Sequence, residues 1–236
     1  MRKVQKDLNS LPKYIQITES IIRDIASGRL LDGQRLPPEK VMAKSHGVAV
    51  GTLRKSLKTL SEKKMVKQVH GSGNYICYVT NVSSVYSMFR LELHQGGGFP
   101  TAKVLSLKYL KKPRNFPNFG TSDTGIRIRR LRYLDKILIA IEEIWVDSGV
   151  GVLNLNDLND SMYRVYQNKL GICISSVEDR VSVKHVPNWA PKSFRIPVKT
   201  LAGFVERFGW TNSKHSVEYS RTWFDGSKAH YVQRLR

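Results

Sequence analysis

The sequence predicts an α+β chain in two parts: a winged helix-turn-helix module over residues 1–79 and a strand-rich domain over residues 80–236. Three observations carry that expectation. Apolar residues recur at helical steps between residues 14 and 60, and the pattern then changes to two short strand-like runs joined by glycines. From about residue 84 the texture changes again, to long segments that alternate or run apolar. Gly96-Gly97-Gly98 followed by Phe99-Pro100 marks a loop at the start of that second part.

The first helix is expected over residues 14–27, where Tyr14, Ile17, Ile21, Ile22 and Ile25 form one stripe and Gly28 is the stop signal. Leu30 to Leu36 reads as a turn and a short extended piece. Pro37 and Pro38 suit the first turn of a second helix, with Glu39 near its positive end, Val41 and Met42 inward, and Gly47 at its close. A third helix buries Leu53, Leu57 and Leu60, so that Thr52, Arg54, Lys55 and Lys58 project from its other faces. Strand-like runs Met65 to Val69 and Asn74 to Val79 follow, joined by the tip His70-Gly71-Ser72-Gly73. Two close helices with a basic second member, then a hairpin, are the order of a helix-turn-helix with a wing. Such a helix fits the major groove, where Arg and Thr reach base edges or phosphates, while His70 and Lys67 offer polar or cationic contacts from the wing.

Charge agrees with an anionic partner. The chain of 236 residues carries 39 Lys+Arg against 19 Asp+Glu, a net +20, and nucleic acid is the commonest partner of such an excess. Residues 1–80 hold 15 basic and 6 acidic side chains, so the first part is the denser in positive charge. No run approaches 18 consecutive apolar residues, which speaks against a membrane helix, and Met1-Arg2-Lys3 leads into polar sequence rather than a signal peptide. Cys77 and Cys173 form neither a metal spacing nor a disulfide framework, so a reducing cytoplasm is the expected compartment. The six histidines (His46, His70, His94, His185, His215 and His230) have no ligand spacing either, and no cofactor or metal is expected.

In the second part, Ile126 to Asp135 reads as a strand. Its even positions, Ile126, Ile128, Arg130, Arg132 and Leu134, form an apolar face interrupted by two arginines. Inward arginines need an anion, supplied either by a fixed carboxylate such as Glu142, Glu143 or Glu218 or by a bound ligand. Glu142 and Glu143 are adjacent, so in a strand they point to opposite faces and form no catalytic pair. Asp160-Ser161-Met162-Tyr163 begins another helix, with Asp160 as its cap, Val165, Tyr166 and Leu170 inward, and Gly171 as the stop. Ser161 would offer its hydroxyl and backbone N–H in the first turn. Val177 to Val183 and Gly203 to Trp210 are the remaining expected strands.

Residues 14–76 resemble the DNA-binding domain of the GntR family of bacterial regulators. The matching stretches are Ile25-Ala26-Ser27-Gly28, Gly33 to Lys40, Gly51 to Leu57 and Gly71-Ser72-Gly73-Asn74-Tyr75-Ile76. The resemblance implies that Arg35, Lys40, Thr52, Arg54 and the wing from Gly71 to Gly73 face operator DNA. The family usually has Ser then Arg where this chain has Ala49 and Val50, and an Arg where it has Lys40. Alanine at a helix N-cap costs roughly 1 kcal/mol relative to serine, and the lost arginine bears on which operator is read.

Residues 84–236 resemble the UTRA effector-binding domain of the HutC subfamily, whose fold is that of chorismate lyase. Ile128-Arg129-Arg130-Leu131-Arg132, Ala140 to Trp145, Ser161-Met162-Tyr163 and Val217-Glu218-Tyr219-Ser220 carry the match. It implies an antiparallel sheet flanked by helices, a homodimer, and a pocket for a sugar phosphate or other small anionic metabolite. Arg130, Arg132, Ser161 and Tyr163 would take the anionic end, and Glu142 and Glu218 hydroxyl or amine groups. Ala102 stands where many sugar-phosphate sensors have Ser, Leu138 replaces a usual Pro, and Phe224-Asp225-Gly226-Ser227 departs from the usual Arg-x-Asp pattern. Two rival readings are a lyase-like enzyme, for which no catalytic motif is present, and a DNA-binding protein whose second domain only dimerises. The latter would release DNA with salt but with no metabolite.

Overall fold

The structure, a computed structural model, describes residues 12–77 and 88–234. It divides into two compact units, one built on the described residues up to Leu91 and one on residues 100–230, with small exchanges at their edges. The expected boundary at 79/80, like Val79 itself, lies outside the described residues.

The first unit packs three helices, α1 (Lys13–Ala26), α2 (Glu39–Ser45) and α3 (Val50–Glu62), against a hairpin of β1 (Val66–Val69) and β2 (Gly73–Ile76). Its core joins Ile17, Ile21, Ile22 and Ile25 of α1 to Leu36, Met42, Leu53, Leu57, Leu60 and Ile76. Each such side chain, fully buried, stabilises the fold by about 1.5–3 kcal/mol. Thr18 and Ser56 share a buried hydroxyl–hydroxyl bond of 2.9 Å that fixes α1 against α3.

Two expectations for α2 are corrected. Pro37 and Pro38 precede the helix instead of entering it: Pro38 pushes the residue before it out of the helical region, and Pro38 itself is the extended N-cap, with φ −52° and ψ 141°. Val41 is 56% exposed, and Ala43 fills the inward position beside Met42. The hairpin tip needs its glycines, since Gly71 (φ 71°) and Gly73 (φ 130°) hold a backbone that side chains disfavour.

Ala49 caps α3 with extended backbone and no side-chain hydrogen bond. Ala49→Ser is therefore expected to stabilise the unit by about 1 kcal/mol. Chemical denaturation followed by far-UV circular dichroism reads this, and an unshifted midpoint would contradict it.

The second unit is a six-stranded antiparallel sheet in the order β4-β5-β6-β9-β8-β7, with β3 (Leu91–Leu93) and β10 (Ala229–Tyr231) paired separately. The strands are β4 (Pro100–Lys111), β5 (Thr124–Leu134), β6 (Ile137–Asp147), β7 (Ser176–His185), β8 (Leu201–Trp210) and β9 (Ser216–Phe224). Asp135, expected to end a strand, lies with Lys136 in the tight β5–β6 turn, where φ values of 45° and 68° reverse the chain.

Strand register sorts the side chains onto two faces. Arg130, Glu142, Thr222, Val205 and Val181 form one row across five strands, here the front face. Arg129, Glu143, Arg221, Glu206 and Arg180 form the next row, on the rear face. A short helix α4 (Met162–Val165) continues as one π-helical turn (Tyr166–Leu170) and stops at left-handed Gly171. Met162, Val165 and Tyr166 are buried, while Leu170 is only half-buried.

Candidate functional site

The candidate nucleic-acid face is built from α3 and the wing. Burial of Leu53, Ser56, Leu57 and Leu60 turns Arg54, Lys55 and Lys58 outward, with Thr52 half-buried at the edge. Arg54 reaches back to α2, its Nε donating to Glu39 at 2.7 Å while the side chain stays 70% exposed. A pair that exposed is worth about 1 kcal/mol or less, so a phosphate can replace the carboxylate. Lys40 is exposed on α2. Arg35 pairs with Tyr75 of β2 and lies against Gly73, whose missing side chain makes room for the guanidinium: a Cβ there would sit 3.3 Å from Nε. Arg35, Glu39, His70, Gly71 and Gly73 border one cleft of about 310 Å³ between the start of α2 and the wing. Lys55 stands apart, its ammonium 4.1 Å above the ring of Tyr14 on α1.

The second candidate is a buried polar cluster on the front face of the sheet, beneath α4. Arg130 is 3% exposed and donates from Nε (2.9 Å) and Nη2 (2.6 Å) to one oxygen of Glu142. Of the two sources of counter-charge considered from sequence, this pair is the fixed carboxylate. Burial alone would push Glu142 up, but the charges of Arg130 and then Arg132 hold it below the usual carboxylate range. Arg132, equally buried, donates to the carbonyl of Asp160 at 3.1 Å.

Asp160 is not the helix cap expected of it. Its carboxylate accepts the N–H of Ala102 at 2.8 Å, and Ser161 occupies the cap position, buried and with no capping bond from its hydroxyl. Tyr163 and Tyr166 both donate to Glu218, at 3.4 Å and 2.5 Å. Glu218 is 2% exposed, and burial pushes its carboxyl up to about 7. Arg130, Arg132, Glu142, Ser161, Tyr163 and Glu218 thus converge, and their polar groups are arranged around fixed partners.

Two models of known families match the chain. One, described as bacterial regulatory proteins of the gntR family, matches residues 13–76, and the UTRA domain model matches residues 96–230. The HTH-type transcriptional regulator SmoD of Agrobacterium fabrum is 47% identical over 228 residues, 96% of this chain and 97% of that protein. The chain belongs to the GntR family, with a UTRA effector domain.

Other relatives agree with that membership. The mannosyl-D-glycerate transport/metabolism system repressor MngR of Escherichia coli is 37% identical over 143 residues, 57% of this chain and 58% of that protein. Among solved structures, the possible transcriptional regulator YydK of Bacillus subtilis has the same fold, with a TM-score of 0.52 at 20% identity, covering 96% of this chain and all of that one. The α+β class and the antiparallel UTRA sheet expected from sequence are the fold observed. This regulator therefore joins a helix-turn-helix DNA-binding domain to a ligand-binding domain.

Three members of the regulator's buried cluster escaped sequence reasoning. Tyr166 was assigned to the core by its helical spacing, which says nothing of the hydroxyl that Glu218 accepts. Arg207 donates from two nitrogens to both oxygens of Asp179 (2.5 and 2.6 Å) and lies beside Tyr163 and Glu218, whose charge adds to the rise in its own affinity for its proton. A signal existed in β8, where Phe204, Phe208 and Trp210 alternate onto one face and leave Arg207 on the other among Gly203, Val205 and Gly209.

Proposed function

We propose that the chain is a cytoplasmic, homodimeric repressor that binds operator DNA through α3 and the wing and whose affinity is set by a small anionic, hydroxylated metabolite such as a sugar phosphate. The observation that carries the effector reading is the convergence of Arg130, Arg132, Ser161 and Tyr163 with the carboxylates of Glu142 and Glu218 in one buried cluster. The arginine end suits a phosphate or carboxylate, and the carboxylates suit hydroxyl groups. That one relative is named as a repressor of mannosyl-D-glycerate transport and metabolism supports a sugar-related effector. A dimer would set two recognition helices on an inverted repeat, since symmetric readers meet symmetric sites. Ligand binding would then shift the balance between two arrangements of the dimer by its difference in affinity, typically about 1–3 kcal/mol.

A thermal-shift screen against sugar phosphates, free sugars and small carboxylates tests the reading. A ligand at about 100 times its Kd adds about 2.7 kcal/mol, a shift of several degrees. A hit that also releases operator DNA and disappears in Arg132→Ala is the expected result. If no compound moves both stability and DNA affinity, the domain serves dimerisation alone, a reading that the Arg130–Glu142 pair would then explain as structural.

For DNA, Arg54→Ala is expected to weaken operator binding and to lower the slope of log affinity against log salt by about one unit. Fluorescence anisotropy over a salt series measures both, and an unchanged slope and affinity would remove Arg54 from the interface.

A further inference from the structure

The rear face of the UTRA sheet carries a second polar constellation that the effector reading does not use. Register places three parallel rows there. Trp145, Tyr219 and Phe208 form one aromatic row that continues onto β5 at Arg127. Leu131, Ile141, Trp223 and Phe204 form another. Between them runs the charged row of Arg129, Glu143, Arg221, Glu206 and Arg180. Phe116 and Phe119 pack over the first row and Trp189 over the second, so the charged row lies between two aromatic cushions.

The charges in this channel do not balance at the β5–β9 end. Glu143, 1% exposed, accepts Nε of Arg129 at 2.7 Å, Nη2 of Arg221, and Nε1 of Trp145 at 3.2 Å. Arg127 stands two residues from Arg129 on the same face, and its side chain forms no ion pair or hydrogen bond among the described residues. Glu206 and Arg180, farther along the row, are engaged by Tyr219 and Glu178. Two guanidinium groups therefore bond one carboxylate, and the third, Arg127, feels its charge without pairing with it. Buried N–H groups here also lack acceptors among the described residues: Nε of Arg127, Nε of Arg221, and the indole nitrogens of Trp189 and Trp223. Protein interiors rarely leave such donors unmet, and an unneutralised guanidinium calls for an anion.

The walls suit an anion with a flat body. Arg129 lies 4.5 Å from the ring of Trp189, Arg221 lies 4.5 Å from Phe116 and 5.5 Å from Trp223, and the two indoles meet edge to face at 5.9 Å. The side chains of Arg129 and Arg221 keep 22% and 25% of their surface open, so a solute can reach them. Burial and the repulsion of Arg129 depress the proton affinity of Arg127, with Glu143 offsetting part of it.

We propose that Arg127, Arg129 and Arg221, walled by Trp189, Trp223 and Phe116, form a second ligand site on the sheet face opposite the effector cluster, specific for a small carboxylate or phosphate compound with a planar apolar body. The site is independent of the Arg130–Glu218 cluster and stands or falls separately from it.

Titration of the full chain with phenyl phosphate and with benzoate, at ionic strength matched by chloride, tests it through tryptophan emission and thermal stability. A saturable emission change with a rise in Tm is expected, because Trp189 and Trp223 line the site. Arg127→Gln is expected to bind at least about tenfold more weakly, the worth of one charge-assisted hydrogen bond. In chloride alone the same variant is expected to melt no lower than the parent, because the fold loses no bond and sheds a repulsion. Arg127→Lys keeps the charge without the two-pronged fork and is expected to fall between; it carries the test should the glutamine variant fail to fold. No saturable response, equal binding by parent and Arg127→Gln, or displacement of the probe by a duplex oligonucleotide but by no small anion would each overturn the proposal, the last by making this face part of a nucleic-acid surface.

Discussion

Replacing Arg130 by alanine is expected to destabilise the UTRA domain by about 3–5 kcal/mol, because it strands a buried carboxylate. Both members of the pair are inside: the side chain of Arg130 is 3% exposed and that of Glu142 15%. Arg130 gives Glu142 two hydrogen bonds and a further one to the carbonyl of Asn159 at 3.4 Å. Without it, burial wins and the proton affinity of Glu142 rises, relieved in part by Arg132. The folded carboxyl of Glu142 is depressed in the parent, so its contribution is present above the unfolded value near 4.5 and is lost as pH falls through the depressed one. The gap between parent and variant should accordingly be wide at pH 7 and narrow in acid. Urea denaturation at the two pH values measures it. The double variant Arg130→Ala/Glu142→Ala is expected to lose less than the two single variants together, since neither charge is then left alone. A loss below about 1 kcal/mol for Arg130→Ala would put the pair on the scale of a surface contact and remove it as an organiser of the site.

The second large effect concerns Glu218 and pH. Its carboxyl is pushed from the ordinary 4.5 up to about 7 by burial, with nearby Glu142 adding to the rise and the Tyr166 hydrogen bond, Arg207 and Arg130 opposing it. A group whose folded value is raised stabilises the fold below its unfolded value, and that contribution is lost as pH rises through the folded value. Between pH 4.5 and 7 this carboxyl should therefore withdraw about 3 kcal/mol of stability. Glu142, Glu143, Asp147 and Asp225 are held low and act in the opposite sense under acid conditions, so the comparison has to be between parent and variant. Glu218→Gln keeps an acceptor for Tyr166 and removes the titration. The variant is expected to match the parent near pH 4.5 and to exceed its stability by pH 8. Parallel stability curves across that range would show that Glu218 titrates normally. If Glu218 meets the effector as proposed, the same ionisation is expected to give effector binding a pH dependence near neutrality.

Much of the DNA-binding unit was legible in the sequence for a simple reason: its contacts are local. The stripe Ile17, Ile21, Ile22 and Ile25, the run Leu53, Leu57 and Leu60, and the glycines of the wing each state their role within a dozen residues. Where the reading slipped, as at Val41, the helix was too short for its period to choose between neighbouring positions, and packing against α3 selected Ala43. In the second domain, alternation along β5 correctly turned Arg130 and Arg132 inward and put Glu142 and Glu143 on opposite faces.

What the sequence alone determined is therefore the order of elements, the faces of the strands and the family. What it left open is the identity of each partner, because a strand's pattern says which way a side chain points and not which strand lies next to it. Only the β4-β5-β6-β9-β8-β7 order sets Arg207 and Asp179 beside Tyr163 and Glu218, residues separated by up to 55 positions in the chain. The same order aligns Arg129, Glu143 and Arg221 on the rear face, where two guanidinium groups bond one carboxylate. Pairing across strands is a long-range choice made by the burial of whole faces, and so the charge balance of either site belongs to the tertiary structure.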